Sequence, residues 1–226
     1  MPDDAVPATG RPEPLRVLLV DDHDLFRTGL GNLLEDHGLT VLGEAATGVE
    51  AVALARELRP DVVVMDLNMP GMSGVEATRH ITSVSPLTRV IVLTISDRDA
   101  DVMDAIVAGA CGYLLKDASI QDLIRGIEAA AEGDSLMSPQ IAAKVVERLR
   151  STGADYARAV TIRAELSQRE IEVLKLIANG KDNAEIAREL VISPKTVKNH
   201  ISSILAKLGI ENRIQAAVYA VRSGIV

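Results

Sequence analysis

In the N-terminal half of the chain, short aliphatic runs alternate with stretches whose apolar positions recur every three or four residues. The runs are residues 15–20 (LRVLLV), 39–45 (LTVLGEA), 61–66 (DVVVMD), 89–95 (RVIVLTI) and 111–115 (CGYLL). Runs so poor in polar alternation predict strands buried on both faces, the condition of a parallel sheet. The stretches between and after them predict helices over residues 25–34, 49–58, 74–82, 99–108 and 119–132. Pro60 stops the second helix, Ser73 caps the third, Gly109-Ala110 breaks the fourth, and Ser119 with Asp122 opens the fifth as a variant capping box. Strands and helices in strict alternation predict an α/β domain, a doubly wound parallel sheet covered on both faces.

Beyond residue 133 the texture changes. Ser138-Pro139 reads as a helix start, and Ile141, Val145, Val146 and Leu149 form a helical stripe whose partner the pattern leaves open. Residues 151–155 (STGAD) break it and begin a linker. Four helices follow. Ser167 and Glu170 form a capping box ahead of Ile171, Val173, Leu174 and Ile177, and Asn179-Gly180 closes that helix. Asp182 and Glu185 open a short helix over 183–190. Ser193-Pro194 opens a third helix that runs to Leu208 and ends at Gly209. The fourth, 211–221, carries Ile214, Ala217, Val218 and Val221 on one side. The expected plan is a disordered tail (1–14), an α/β domain (15–133), a linker with a helix (134–165) and an all-α four-helix domain (166–226).

Charge sharpens that division. The whole chain of 226 residues carries a formal −8, yet residues 163–226 hold 10 Lys/Arg against 7 Asp/Glu, a net +3. Residues 1–162 hold 14 against 25, a net −11, so the two parts suit different partners. The lone Cys111 excludes an intramolecular disulfide and fits a reducing cytoplasm; it reads as a buried small hydrophobe. The polar, proline-rich first residues do not resemble a signal peptide, and no apolar run approaches a membrane span. A cytoplasmic protein with no membrane partner is expected.

Four strands end in groups with chemistry: Asp21 and Asp22, Asp66, Thr94, and Lys116. In a doubly wound sheet these ends share one rim, where ligands bind. A buried strand should not end in a charge such as Asp66 unless the charge has a task, and Pro70-Gly71 and Gly74 force a tight loop just after it. Three carboxylates on one rim repel one another and need a cation; oxygen-only ligands favour Mg²⁺. His23 beside them reads as a helix-start residue and not a ligand. With the ion bound, Asp66 suits a nucleophile towards a phosphoryl group, with Lys116 and Thr94 stabilising its oxygens. No P-loop pattern is present, so another molecule must bring the donor.

These residues resemble the receiver domain of two-component response regulators, over about residues 16–133, which implies a flavodoxin-like sheet. The resemblance makes Asp66 the phosphoacceptor. Asp21, Asp22, Asp66 and the backbone carbonyl of Asn68 become ligands for Mg²⁺, Thr94 and Tyr113 the switch pair, and Lys116 the phosphoryl-stabilising lysine. It also implies a sensor histidine kinase as partner. Charge added at Asp66 should draw Thr94 and Tyr113 inward and alter the surface around the fourth helix and fifth strand. Ile95 is bulky where many receivers carry a small residue, so slow loss of the phosphoryl group is expected. An aspartyl phosphatase of the haloacid dehalogenase type would want a second Asp where Asn68 stands, so a switch and not an enzyme with turnover is expected.

The third C-terminal helix has two faces. Val197, Ile201, Ile204, Leu205 and Leu208 form the core stripe; Lys195, Lys198, Asn199, Ser202 and Ala206 form the other, and no carboxylate lies between Leu190 and Ile210. Such a face suits phosphates and base edges in a major groove. The segments SQREIEVLKLIANG, NAEIARELVISPKTVKNHISSILAKL and RIQAAVYA resemble the LuxR-type helix-turn-helix, and the whole chain after the tail resembles response regulators of the NarL/FixJ type. That resemblance implies promoter-DNA contacts by Lys195, Thr196, Lys198, Asn199, Ser202 and Lys207. Asn199 and Ser202 are the candidates for base selectivity, whereas the lysines position the backbone. It implies a homodimer paired through the fourth helix by Ile214, Ala217, Val218 and Val221. Whether activation releases the DNA-binding part or drives dimerisation stays open.

Overall fold

The computed structural model describes residues 13–137, 141, 145, 166–210 and 212–226. The tail expected over 1–14 lies outside the described residues except for its last two, as does the linker helix except for Ile141 and Val145. The strands are β1 (Arg16–Val20), β2 (Thr40–Ala45), β3 (Val62–Met65), β4 (Arg89–Thr94) and β5 (Gly112–Leu115). The helices between and after them are α1 (Asp24–Asp36), α2 (Gly48–Leu58), α3 (Gly74–Val84), α4 (Asp99–Val107) and α5 (Ile120–Ala131). All strand pairs are parallel, in the order β2-β1-β3-β4-β5.

Alternation along the strands builds two half-cores. Val17, Leu19, Val62 and Val64 face Leu30 and Leu34 of α1 and Leu123 and Ile127 of α5. Leu18, Val20, Val63 and Met65 face Ala51 and Ala55 of α2 and Ala77 and Ile81 of α3. Each residue of β3 is buried, as an unbroken apolar run requires. Truncating a side chain such as Leu34 here costs about 2–5 kcal/mol through lost burial and a residual cavity.

The expected caps form. Ser73 and Glu76 make a reciprocal capping box on α3. The Ser119 side chain accepts from the Asp122 amide at the start of α5. The second helix ends at Arg59, in the left-handed region at φ 47°, before Pro60 acts. β4 ends at Thr94, as expected, and leaves Ile95 76% exposed.

The C-terminal helices are α6 (Gln168–Ala178), α7 (Asn183–Leu190), α8 (Pro194–Leu208) and α9 (Arg213–Arg222). Val173, Leu174, Ile177, Ile186, Val197, Ile201, Ile204 and Leu208 form their core. Capping boxes begin α6 (Ser167, Glu170) and α7 (Asp182, Glu185), and Gly209 ends α8 at φ 63°. The expected single stripe of α9 splits. Ala216 and Ala220 enter the helical core and Ala217 packs against it, whereas Ile214 and Val218 enter another cluster. That cluster contains Val102, Ala105 and Ile106 of α4, Tyr113 of β5, and Ile141 and Val145. Ile141 and Val145 of the linker stripe therefore join both halves of the chain. Among the described residues no helix is long and apolar enough to cross a membrane.

Candidate functional site

Because β1, β3, β4 and β5 are parallel, their C-terminal ends meet on one edge. β1 feeds α1 on one side of the sheet and β3 feeds α3 on the other, so a crevice opens between neighbouring strands. Asp21 and Asp66 line it. The Asp66 amide donates to the Val20 carbonyl at 2.8 Å, and the Asp21 amide donates to the Ala45 carbonyl at 3.1 Å. Both carboxylates are deep, Asp21 at 5% exposure and Asp66 at 2%. A Cβ at Gly74 would run into the Asp66 carbonyl, so glycine alone lets α3 start this close to it.

Lys116 reaches across from the end of β5. Its Nζ lies 2.6 Å from Asp21 Oδ2 and 2.8 Å from Asp66 Oδ2, and 4.6 Å from the centroid of the Phe26 ring. Burial alone would lower the lysine's pKa, but the hydrogen bonds to Asp21 and Asp66 raise it above its usual value. It is a fixed cation. Asp21, Asp22, His23 and Asp66 each bring a ligand atom within 4.8 Å of the others. Asp22 Oδ1 is buried without a hydrogen-bond partner, although His23 Nδ1 lies 2.7 Å away. An oxygen-rich cluster of carboxylates this close together fits a hard divalent ion such as Mg²⁺. The His23 side chain is 70% exposed, and its amide donates to Asp21 Oδ1 at 2.9 Å at the start of α1.

Thr94 is fully buried, and its hydroxyl accepts from Asn68 Nδ2 and from the Ser96 amide, each at 3.4 Å. The Ser96 hydroxyl bonds the Asp101 carboxylate, which also receives Arg98 at 2.9 and 3.0 Å. The Tyr113 hydroxyl donates to the Ser96 carbonyl at 2.8 Å, and burial pushes the phenol's pKa up, so it stays a donor. Tyr113 is already fully buried. The expected inward movement of its ring therefore has no exposed starting point, because this hydrogen bond and the apolar cluster around it hold the ring inside.

Sequence reasoning missed Arg27. It donates to the Asp21 carbonyl at 2.6 Å, to Glu44 Oε2 at 2.8 Å and to Asp24 Oδ1 at 2.6 Å, tying down the loop that carries the acidic pair. An arginine one turn after an acidic strand end was the available signal.

On α8, Lys195, Asn199 and Ser202 are exposed, and Thr196 and Lys198 are half-buried. Thr196 Oγ1 lies 2.8 Å from the cap hydroxyl of Ser193, and Lys198 Nζ lies 3.5 Å from Glu132 at the end of α5. Lys207 stands apart, with its Nζ 2.7 Å from Glu170 Oε2. Around α9 the two halves are bonded directly. Asn212 Nδ2 donates to the Ala110 carbonyl at 3.1 Å and Gln215 Nε2 to the Ile106 carbonyl at 2.9 Å. Arg213 donates to Asp134, to Asn183 Oδ1 at 2.8 Å and to the Lys181 carbonyl.

A flavodoxin-like sheet with an acidic crevice and fixed lysine, joined to a helix-turn-helix with a carboxylate-free helix, defines a two-part signalling regulator. Comparison with known proteins agrees for each part. Residues 17–128 match the response regulator receiver domain, and residues 164–220 match the bacterial regulatory proteins of the luxR family. The transcriptional regulatory protein LiaR of Bacillus subtilis is 46% identical over 94% of this chain and 99% of its own length. The nitrate/nitrite response regulator protein NarL of Escherichia coli K12 is 39% identical over 92% of this chain and 95% of its own. A solved RcsB–DNA complex is 27% identical, with TM-score 0.54 over 92% of this chain and 98% of that one. The chain belongs to the NarL/FixJ-type response regulators, transcription regulators that join a receiver domain to a LuxR-type DNA-binding domain.

Proposed function

We propose that Asp66 accepts a phosphoryl group from a sensor histidine kinase and that this frees the C-terminal helices to bind promoter DNA as a dimer. The observation carrying the proposal is the pairing of buried Asp66 with Lys116 at 2.8 Å inside the acidic cluster. An Asp66 oxygen attacks phosphorus, the bond from phosphorus to the donor histidine nitrogen breaks, and the new acyl phosphate keeps the group until water removes it. Lys116 neutralises charge on the transferred oxygens, and the Thr94 hydroxyl donates to one of them. Asp21, Asp22, Asp66 and the Asn68 carbonyl would hold Mg²⁺, which supplies further charge neutralisation when bound.

The signal has a bonded path. Drawing Thr94 towards the phosphoryl group strains the Ser96 peptide, whose amide bonds Thr94 and whose carbonyl bonds Tyr113. Tyr113 shares its cluster with Ile141, Val145, Ile214 and Val218. Disturbing that cluster loosens α9 from α4. Ile214 and Val218 belong to the face expected to pair two subunits, so release of the helices and dimerisation become one event. The exposed Lys195, Asn199 and Ser202, with Thr196 and Lys198, then meet the groove. A cytoplasmic setting follows for a partner of promoter DNA.

Incubating the chain with a labelled small-molecule phosphoryl donor and Mg²⁺ tests the chemistry. One equivalent of label on the wild type and none on Asp66→Asn is expected. Sustained turnover, or label retained by Asp66→Asn, overturns the reading in favour of an aspartyl phosphatase or another acceptor.

A further inference from the structure

Among the described residues Glu170 is one of few buried charged ones, at 4% exposure, and it belongs to the C-terminal helices and not to the acidic crevice. It is the third residue of α6, where its Oε2 accepts the Ser167 amide at 2.7 Å and closes the capping box. Capping a helix at the surface needs no burial. What buries it is α8: Ser203 Oγ donates to Oε1 at 2.6 Å, and Lys207 Nζ approaches Oε2 at 2.7 Å. A backbone amide, a hydroxyl and an ammonium converge on one carboxylate. They hold its pKa at about 2, against a usual 4.5, with the Lys207 and Ser203 bonds the largest causes.

Ser203 and Lys207 are four residues apart on α8, so they lie on one line along the helix. At 3.6 residues per turn that line runs roughly a quarter-turn from the stripe of Lys195, Asn199 and Ser202. It flanks the exposed stripe instead of belonging to it. The apolar stripe of Val197, Ile201, Ile204 and Leu208 presses α8 onto the core without fixing its rotation tightly, because dispersion contacts are non-directional. The carboxylate adds directional bonds on one side. With side-chain tips about 5–6 Å from the helix axis, a rotation of about 10° moves an Asn199 or Ser202 polar atom by about 1 Å. A hydrogen bond to a base edge tolerates only about half of that.

We infer that Glu170 is a positioning residue for DNA recognition: through Ser203 and Lys207 it sets the rotation at which Asn199 and Ser202 meet the bases. This rests on the reading that α8 enters the major groove. It also gives Lys207, taken from the family resemblance as a DNA contact, a role as the partner of Glu170 on the flank of that helix, where its side chain stays 40% exposed.

The test uses the full chain and two probes: the duplex that the wild type enriches from a random pool, and the unselected pool itself. Glu170→Gln keeps a capping-box residue, so the fold is retained. It is expected to lower the preference for the enriched duplex five- to tenfold while leaving affinity for the pool within twofold. Lys207→Met is expected to lower the preference equally and leave the salt slope of pool binding unchanged; Lys207→Arg keeps the preference. An unchanged preference in Glu170→Gln overturns the inference. So does a fall of about 0.9 in the slope for Lys207→Met, which marks a phosphate contact. Lys198→Ala separates the underlying reading: its slope is expected to fall by about 0.9, and an unchanged slope and affinity there remove the groove docking itself.

Discussion

Replacing Asp134 with Asn should open the molecule without phosphorylation. Asp134 follows α5, and its partner Arg213 starts α9, so their bond spans the two halves of the chain. Arg213 is 7% exposed and also serves Asn183 and the Lys181 carbonyl, so its guanidinium is fixed from the C-terminal side. Burial raises the Asp134 pKa, and the Arg213 charge works against that rise. Each charge is tolerable in its half-dry setting because the other is there. Asn matches the size of Asp and keeps one acceptor but removes the charge. Asn leaves Arg213 a neutral acceptor in place of a carboxylate and so strips the ion-pair part from a charged hydrogen bond of about 1.5–3 kcal/mol, and the closed arrangement loses about 1–2 kcal/mol. That shifts the opening equilibrium about 5- to 30-fold. The Asn212 and Gln215 bonds and the Ile214 and Val218 contacts survive, so the closed form persists in part. The readout is the affinity of unphosphorylated chain for duplex DNA, which should rise by the same factor, with faster amide exchange in α4 and α9. Unchanged affinity together with unchanged exchange in α4 would refute the argument that this pair latches the halves.

Three further outcomes follow from particular residues. Ile95 stands exposed directly after Thr94, so Ile95→Ala should shorten the lifetime of phosphoryl-Asp66 by widening the path for water; an equal or longer lifetime rejects that role. Val191 is β-branched, 89% exposed and held at φ 54° in the turn between α7 and α8. Val191→Gly should raise the unfolding free energy of the C-terminal helices by about 0.5–1 kcal/mol, seen as a higher urea midpoint, since relief of about 1–2 kcal/mol of strain exceeds the glycine entropy cost. A lower midpoint would mean that the valine side chain makes a stabilising contact. Glu170 has a depressed folded pKa, so its stabilising contribution is complete above its usual 4.5 and is lost as pH falls towards about 2. The stability gap between wild type and Glu170→Gln should therefore shrink across that window, and a gap independent of pH would deny the charge its role.

Much of the candidate site could be read from local pattern. Strands ending in Asp21, Asp66, Thr94 and Lys116 must share an edge once the sheet is parallel, and their convergence needs no knowledge of side-chain packing. Arg27 and Ser96 escaped because what matters about them is their partners. Arg27 serves Asp21 and Glu44 from two different strands, and Ser96 links Thr94 to Tyr113 through its own backbone. Lys207 came from the family resemblance as a DNA contact, and its bond to Glu170, 37 residues earlier in the chain, is a long-range pairing of the same kind.

By itself the sequence determined the strands, the helix caps, the acidic rim and the two faces of α8. These follow from hydrophobic period, turn chemistry and capping, whose physics acts over a few residues. Only the tertiary structure decided where α9 turns its apolar side. Ala216 and Ala220 are small enough to let α9 approach its own core, whereas Ile214 and Val218 are left facing outwards, and α4 with Tyr113, Ile141 and Val145 buries them. Which surface covers an outward apolar face depends on the shape and charge of distant elements, and here the Arg213–Asp134 pair and the Asn212 and Gln215 bonds select α4.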